Sequence, residues 1–380
     1  MQIVGGKLTL SSGDLVGHLN CQYLTELDLR VAKGELTKPK IWDPVLETLA
    51  ERGAQHERGF VEHLKADGIT VTLIDGIGID SAAVTSTLRA MGRGDPVIVQ
   101  GALQAGRWHG RADVLRRIEK PSRFGDWSYE VTDTKLARET KGNTVLQICL
   151  YSDMLSEMQE TDPASAYVVT PGTNYVPEEY RIADYAAYYR HVRKSLERAV
   201  VSQTPSGAYP EPIEHCDTCR WRRHCDERRR ADDHMSLVAG ISKSQIGELE
   251  RRGIETMTAL AQLPVPLQWR PARGAVQSYE RIREQARIQF AGRLNGSVLY
   301  EPLTPVAGFG LSRLPEPSAG DIFFDFEGDP FVGDGGLEFL FGYLYCEADG
   351  TRLYVGDWAS TRQEERAAFE RFIDFVTRFD

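Results

Sequence analysis

Two aspartates and a lysine have the types and the spacing needed for metal-assisted hydrolysis. Asp113 lies in one predicted strand, and the triplet Asp133-Thr134-Lys135 lies in the next. Side chains two residues apart on a strand project from the same face, and a hairpin would bring both carboxylates together. Two carboxylates at one point repel each other unless a divalent cation joins them. A lysine beside that cation could orient or deprotonate water for phosphodiester hydrolysis, although a surface salt bridge uses the same residue types.

Three further polar residues surround this triplet in a consistent order. His56 lies on the core-facing stripe of the preceding predicted helix, where its imidazole could reach the cation or be a satisfied core residue. Gln147 and Tyr151 are four residues apart on the following helix and therefore face the same way. The ordered set is more specific than any one of its parts.

The cysteines form the most specific single motif. Three of the six follow the pattern C-x2-C-x5-C, namely Cys216, Cys219 and Cys225. Clustered cysteines in a reducing compartment indicate metal ligands more readily than disulfides. With Cys21 as the fourth thiolate we expect an iron–sulfur cluster that closes the domain like a clasp. Zinc is the alternative, with Cys21, His215 or His224 as its fourth ligand.

The surrounding segments predict the elements that must position these residues. Residues 1–65 are predicted to be mainly helical, with helices from about Asp14 and over 44–64. Strands are predicted at 69–75, 96–103, 109–118, 128–137 and 165–171, and helices at 144–158 and 184–203. This order is typical of an α/β domain with a mixed sheet.

The remainder of the chain changes character. Residues 231–264 are predicted to form short paired helices, which could contact a phosphate backbone through turn amides or simply pack between domains. A helix at about 275–293 and a linker at 302–320 follow. Three strands and a helix come last. Asp325 and Glu327 share one face of the first of these strands.

Composition and charge limit the class of protein. The chain has 380 residues, 41% hydrophobic and 26% charged, with a formal net charge of −10. These values are typical of a soluble globular protein, and neither a membrane span nor a secretory signal is present, so we expect a cytoplasmic location. A locally basic groove can still bind DNA, and the arginines of 107–123 and 220–230 are candidates to line it.

The ordered motifs resemble a known family. The set comprises GxxHE at 53–57, GRAD ending at Asp113, the triplet, QxxxY from Gln147 to Tyr151, and the one-plus-three cysteines. It is similar to the RecB-type nucleases of the PD-(D/E)xK superfamily over about residues 10–230. The iron–sulfur branch, which includes the AddB nuclease domain and the four-cysteine CRISPR-associated exonucleases, is most similar. Ala112 stands where proline is usual, and Asp133 where glutamate is more frequent.

The resemblance implies a fold, ligands and roles. It implies a restriction-endonuclease-like core closed by a 4Fe–4S cluster on Cys21 and the C-x2-C-x5-C motif. Mg²⁺ or Mn²⁺ would be bound by His56, Asp113, Asp133 and the Thr134 carbonyl. Lys135 would assist the attacking water, and Gln147 and Tyr151 would position the DNA or the lysine.

A second resemblance concerns the C-terminal segment, which is similar to the opening of an RNase H-like, DEDD-type exonuclease domain of the YprB kind. We therefore expect three regions: a nuclease domain at 1–230, a helix-hairpin-helix-like module and linker at 231–300, and a partial RNase H-like α/β domain at 301–380. Asp325 and Glu327 would begin a second site that the chain does not complete.

The resulting expectation is a DNA nuclease, of exonuclease type, acting on single-stranded or unwound DNA in repair, recombination or a helicase–nuclease assembly. One alternative is a non-catalytic iron–sulfur module that binds DNA within a helicase complex. Another is an RNA-directed nuclease that depends on Asp325 rather than on Asp113.

Overall fold

The structure of the protein, a computed structural model, describes residues 1–76, 78–202, 207–330, 332–333 and 335–378. The chain divides into two compact units, Met1–Tyr300 and Glu301–Asp380.

The first unit begins with a short hairpin and three helices. These elements are β1 (Gln2–Val4), β2 (Lys7–Thr9), α1 (Ser12–Asn20), α2 (Gln22–Ala32) and α3 (Pro44–Ala66). The hairpin was not predicted within this mainly helical segment. Gly5 and Gly6 both have positive φ, 55° and 77°, which is the conformation that a two-residue hairpin turn requires.

The helix predicted from about Asp14 is divided into two at Cys21. Ser11 caps α1, and its hydroxyl accepts a hydrogen bond from the N–H of Asp14. At Cys21 the backbone is extended, with φ −154° and ψ 111°, and Cys21 Sγ accepts from the N–H of Leu24 at 3.4 Å. The cysteine therefore ends one helix and caps the next.

A mixed sheet of six strands follows, and the sequence predicted five of these strands. Its strands are β3 (Val71–Leu73), β4 (Val97–Ala105), β5 (Trp108–Ile118), β6 (Ser128–Thr134), β7 (Ser165–Val169) and β8 (Glu178–Arg181). They lie in chain order, with parallel pairing for β3–β4 and β6–β7 and antiparallel pairing elsewhere.

Three helices accompany this sheet, namely α4 (Ser81–Arg93), α5 (Gly142–Gln159) and α6 (Ile182–Val201). The sequence predicted α5 and α6, and residue 203 of the predicted α6 lies outside the described residues. The sequence did not predict β8 or α4. The serines, threonines and valine of α4 have modest helix propensity. Asp80 caps α4 by accepting from the N–H of Ala83 at 2.8 Å.

The sheet is packed on both faces. On one face α5 contributes Ile148, Leu150 and neighbouring residues to the largest hydrophobic cluster. On the other face Phe60 and Leu64 of α3 pack against valines of β4, β5 and β7. Of the predicted core-facing stripe of α3, Phe60 is confirmed as buried, whereas His56 is only half-buried. The helices α3 and α5 lie on opposite sides of the strands that carry Asp113 and Asp133.

A helical module completes the first unit. Its elements are α7 (Arg222–Ala231), α8 (Lys243–Glu250), α9 (Met257–Ala261) and α10 (Val276–Asn295), which enclose a small core that includes Met257. The predicted short helices are confirmed. The first amides of α9 are bonded within the chain, because the N–H of Met257 binds the carbonyl of Asp233 and the N–H of Thr258 binds its carboxylate. These amides therefore do not offer the phosphate contact that a helix-hairpin-helix reading would use.

The second unit is an antiparallel sheet with one helix. It contains β9 (Phe323–Asp329), β10 (Leu337–Cys346), β11 (Arg352–Trp358) and α11 (Arg362–Arg378), and β10 is the central strand. Phe324 and Phe326 pack against Phe372 of α11. The three strands and the helix agree with the sequence prediction.

Among the described residues, no helix is both long enough and apolar enough to span a bilayer.

Removing buried apolar volume from α5 should destabilise the first unit. Leu150 is fully buried in the largest cluster, so Leu150→Ala should lower the free energy of unfolding by about 2–5 kcal/mol. Urea denaturation measures the change, with the exposed Glu157→Ala of the same helix as the control. Equal stability of the two variants would contradict the packing described for α5.

Candidate active site and cysteine cluster

Register brings the two predicted aspartates to one end of neighbouring strands. Val114 of β5 pairs with Thr132 of β6, so Asp113 and Asp133 follow at the same level of the sheet. Asp113 Oδ2 accepts two hydrogen bonds from Thr134, one from the backbone N–H at 2.8 Å and one from Oγ1 at 2.9 Å. These bonds fix the Asp113 carboxylate relative to the triplet. Thr134 thus has an orienting contact that the sequence did not indicate.

Asp133 is fully buried and connects the triplet to α5. Lys135 Nζ lies 2.6 Å from Asp133 Oδ2. Gln147 Nε2 donates to Asp133 Oδ1 at 3.2 Å and lies 3.3 Å from the Tyr151 hydroxyl, which in turn lies 3.1 Å from Ser12 Oγ. The five predicted residues Asp113, Asp133, Lys135, Gln147 and Tyr151 are therefore brought together.

Electrostatics make Asp133 an unusual carboxyl group. Burial, reinforced by the nearby Asp113 carboxylate, raises the pKa of Asp133 to about 7, and the charge of Lys135 opposes this shift only in part. Burial acts to lower the pKa of Lys135, but the Asp133 carboxylate outweighs it and the pKa is raised. The lysine therefore stays protonated as the local counter-charge.

One carboxylate oxygen of Asp133 has a charged neighbour but no well-aligned hydrogen bond. Asp133 Oδ2 is buried and accepts no well-aligned hydrogen bond among the described residues, although the Lys135 ammonium lies beside it. Buried carboxylate oxygens are normally hydrogen-bonded or coordinated to a metal. Two carboxylates with such an orphaned oxygen fit the hard, oxygen-seeking cations Mg²⁺ and Mn²⁺.

His56 is not placed with the two aspartates as a ready ligand. Its Nε2 lies 3.2 Å from the carbonyl oxygen of Val169, on the neighbouring strand β7, and its ring stacks on Tyr175 at 5.6 Å. Within the described part of the chain, no three histidine, cysteine or acidic side chains form a ready metal-binding group. The metal-ligand roles of His56 and of the Thr134 carbonyl therefore stay predictions.

Two residues at this site were missed by sequence reasoning. Glu57 of α3 accepts a short hydrogen bond from Gln100 Nε2. Burial, followed by the charge of Asp113, raises the pKa of Glu57, while the bond from Gln100 opposes the rise. Glu57 thus adds a third carboxylate to the electrostatic environment of Asp113. Glu57 is the last residue of the GxxHE motif, and its place there was the sequence signal that could have identified it.

Gln100 reaches Glu57 because β4 is distorted at this point. Its φ is +56°, and strand pairing is interrupted here, between Val99 with Val114 and Gly101 with Ala112. In register, Gln100 lies opposite Asp113. Positive φ in a non-glycine residue is costly and is found most often at functional sites. The Gln-Gly pair within an otherwise apolar strand was the sequence signal for this irregularity.

Three of the four predicted cluster cysteines share one hydrophobic cluster, and Cys216 lies close enough to act on the pKa of Cys225. Among the described residues these thiols do not form a ready metal-binding group. Cys225 and the partly buried Cys21 and Cys219 share a small cluster with Tyr23, Leu27 and Trp221. Burial, together with the neighbouring thiols of Cys219, Cys21 and Cys216, raises the pKa of Cys225 to about 11, against the opposing charge of Arg229. All four are free thiols. Trp221 Nε1 donates to Asp28 Oδ1 at 3.1 Å, which connects α2 to the C-terminal cysteine segment.

The histidines considered as zinc ligands have other neighbours. His224 packs edge-on against Trp221, with ring centroids 5.6 Å apart, and the backbone carbonyl of His215 accepts from the N–H of Thr218. The thiol cluster of Cys21, Cys216, Cys219 and Cys225 is thus the candidate donor set that the fold assembles.

The arginines near Asp113 are used within the protein. Arg111 donates to backbone carbonyls of residues 74–76, and Arg117 donates to the carbonyl of Gly94. These two side chains hold loops at the sheet edge, so they are poor candidates to line a DNA path.

In the second unit, Asp325 and Glu327 share one strand face. Phe324 and Phe326 face α11, so the two carboxylates project to the other side of β9, where both are exposed. They have no neighbouring acidic group comparable to the Asp113–Asp133 pair among the described contacts.

Cation affinity at the first site should depend on pH through Asp133. With its pKa raised to about 7, a proton competes with the cation below that pH and is absent above it. Mn²⁺ affinity should therefore weaken about tenfold for each pH unit below that value. Calorimetric titration across this range measures it, and the Asp133→Asn variant should lose the dependence. A pH-independent wild-type affinity would contradict the assignment.

Shortening Gln100 should change the ionisation of Glu57. Gln100→Asn tolerates positive φ but withdraws the amide from Glu57, so the pKa of Glu57 should rise further. NMR titration of the Glu57 carboxyl carbon measures the shift, with the exposed Gln104→Asn of the same strand as the control. An unchanged pKa would show that Gln100 does not hold this carboxylate.

Comparison with known proteins agrees with the site. The sequence profile of the PD-(D/E)XK nuclease superfamily matches residues 34–226, which is half of the chain and includes every residue of the Asp113–Asp133 site except Ser12. No curated protein matches the chain. The matched segment contains His56, Asp113, Asp133 and Lys135 and the six-stranded mixed sheet. This chain belongs to the PD-(D/E)XK nuclease superfamily.

Proposed function

We propose that the protein is a Mg²⁺- or Mn²⁺-dependent DNA nuclease whose active site is the Asp113–Asp133–Lys135 group. Members of the superfamily are generally metal-dependent nucleases. The observation that carries the proposal is the pairing of Asp113 with the buried Asp133, one oxygen of which has no aligned donor and only a lysine beside it. A surface salt bridge would not need a second carboxylate or burial.

The residues present fit a divalent cation. Asp113 and Asp133 would hold it, with His56 and the Thr134 carbonyl as further proposed ligands. When bound, such a cation polarises the phosphoryl oxygen and lowers the pKa of a bound water. In the hydrolysis, the water oxygen forms a bond to phosphorus, the bond to the leaving oxygen breaks, and that oxygen takes up a proton.

The remaining residues orient and balance charge. Lys135 carries the positive charge nearest to Asp133 and is placed to hold a water or a phosphate oxygen. Gln147 fixes the Asp133 carboxylate through Oδ1, and the Tyr151 hydroxyl fixes Gln147. Thr134 holds Asp113. This network keeps the two carboxylates oriented before substrate arrives.

The cysteines support a structural iron–sulfur cluster as part of this proposal. A cluster of the 4Fe–4S type takes four thiolates. The shared neighbourhood of Cys21, Cys219 and Cys225, with Cys216 near Cys225, supports this assignment. Together with the order of the catalytic motifs, this favours the RecB-type, AddB-like branch. A reducing cytoplasm would keep these thiols available.

Substrate and pathway complete the proposal. We expect single-stranded or unwound DNA, cut by exonuclease action, in repair, recombination or a helicase–nuclease assembly. An unwinding partner would supply the single strand. The RNase H-like likeness of the second unit, with Asp325 and Glu327 at its start, is the proposed trace of a second nuclease-type domain.

Removing any member of the catalytic group should abolish cleavage without unfolding the protein. Asp113→Asn, Asp133→Asn and Lys135→Ala should each lower the Mn²⁺-dependent cleavage rate of labelled single-stranded DNA by about 10³-fold or more. Asp126→Asn, an exposed carboxylate in the loop between β5 and β6, is the control and should retain activity.

Two outcomes would overturn this assignment. Retained cleavage in all three variants would exclude the site, and cleavage that survives Asp113→Asn but is lost in Asp325→Asn would move the activity to the second unit. DNA binding by a wild-type protein that never cleaves would favour the non-catalytic DNA-binding alternative.

The cluster has its own test. Protein purified anaerobically should show an absorption band near about 400 nm that bleaches on reduction. Cys216→Ser should lose the band and lower the melting temperature, whereas Asp133→Asn should keep both. A colourless protein with stoichiometric zinc would contradict the iron–sulfur assignment.

A further inference from the structure

A groove of about 730 Å³ lies beside the cysteine cluster. One wall is the irregular segment 39–43 with the first turn of α3, and the other is the segment 217–230, which includes α7. Cys219 forms part of its surface. We call this feature the clasp groove.

Every carboxylate that lines the clasp groove has a hydrogen-bond or ion-pair partner within the protein. Asp43 caps α3 and accepts from the N–H of Val45 at 2.9 Å. The other three form ion pairs with arginines: Asp217 with Arg222, Glu227 with Arg223, and Asp226 with Arg229. Three of the four acids are thus neutralised by arginines, and Asp43 keeps its negative charge.

Three basic side chains of the groove have no carboxylate partner among the described residues. Lys40, Arg220 and Arg230 line it and form no ion pair within the described part of the chain. Even with the charge of Asp43 set against them, these three cations leave the groove with an excess of positive charge, in a chain whose formal net charge is −10. Such a local excess attracts a polyanion through phosphate contacts.

An exposed aromatic residue lies next to the groove in the sequence. Ile41 and Asp43 line the groove, and Trp42 between them is 79% exposed. Arginine and lysine beside an exposed indole is the combination that binds single strands, because unpaired bases stack on the ring while phosphates contact the cations. A duplex keeps its base faces stacked and cannot use the indole in this way.

We propose that the clasp groove binds single-stranded DNA, with Lys40, Arg220 and Arg230 contacting phosphates and Trp42 stacking on a base. This inference rests on the proposed nuclease function and deepens it, because it places the strand away from the Asp113–Asp133 site. The groove meets the beginning of α3, which also carries His56. The separation from Asp43 to His56 along the helix is about 20 Å.

The separation predicts a length requirement. At a stacked spacing of about 3.4 Å per nucleotide, 20 Å corresponds to about six nucleotides. Strands longer than this can occupy the groove and the active site together, and shorter ones cannot. The groove should therefore add most to the affinity of strands long enough to reach both places, whereas a shorter strand gains from only one of them.

The test measures DNA binding by the full chain carrying Asp133→Asn, which prevents cleavage. The groove variant is Lys40→Ala/Arg220→Ala/Arg230→Ala, and the control is Lys7→Ala/Arg190→Ala/Lys194→Ala, three exposed cations of the same unit outside the groove. For a 20-nucleotide single strand, the Kd of the groove variant should rise at least about tenfold and the salt slope should fall by about two. The control should keep the parent slope to within less than one unit.

A second variant tests the stacking. Trp42→Ala should weaken binding of the 20-nucleotide strand by about tenfold, and Trp42→Phe should restore most of it. Neither change should alter the binding of a blunt duplex, whose base faces are already stacked. Melting temperature and cluster absorption confirm that each variant is folded.

Each result separates the groove from the nuclease function. Unchanged binding in the groove variant, or an equal loss for duplex and single strand, overturns the single-strand groove even if wild type cleaves DNA. If the groove variant binds more weakly but the wild-type protein never cleaves DNA, the groove is kept and the nuclease proposal is overturned. Failure of wild type to bind any DNA overturns both.

Discussion

The structure of the site depends on the burial of Asp133 beside a second carboxylate. The antiparallel register of β5 and β6 sets Asp113 next to it, α5 covers it through Gln147, and Lys135 supplies an adjacent positive charge. A buried carboxylate next to another is costly, as its raised pKa shows. Buried carboxylate pairs of this kind are typical of sites that bind a cation or carry out a reaction. The match to the nuclease superfamily agrees with such a role.

Sequence patterns predicted much of this arrangement and missed identifiable parts of it. The strands carrying Asp113 and Asp133, and the helix carrying Gln147 and Tyr151, followed from local periodicity, because each element repeats apolar residues over its length. Glu57 and Gln100 were missed, since their meeting depends on a positive φ in β4 that only tertiary packing maintains. The hairpin at 2–9, the break at Cys21 and α4 were missed for a related reason: caps and glycine turns decided them rather than hydrophobic periodicity.

The cysteines connect the two ends of the catalytic domain. Cys21 lies at a helix junction near the N-terminus, and its partners lie almost two hundred residues later, beyond the sheet. Trp221 and Asp28 join the same two segments by a hydrogen bond. Because the segment that follows α2 leads directly to α3, anything that stabilises this junction also fixes the helix that carries His56 and Glu57. The clasp groove lies at that junction, so strand binding and domain closure would share one structural element.

The central claim is that Asp113 and Asp133 bind one divalent cation together. The most direct measurement is an anomalous difference map from crystals soaked in Mn²⁺. If the two carboxylates share a cation, the map should show a peak within about 2.2 Å of one oxygen of each, with Asp133 Oδ2 as one of the two ligands. A map with no peak there, in which Lys135 still lies beside Asp133 Oδ2 at saturating Mn²⁺, would contradict this shared cation site.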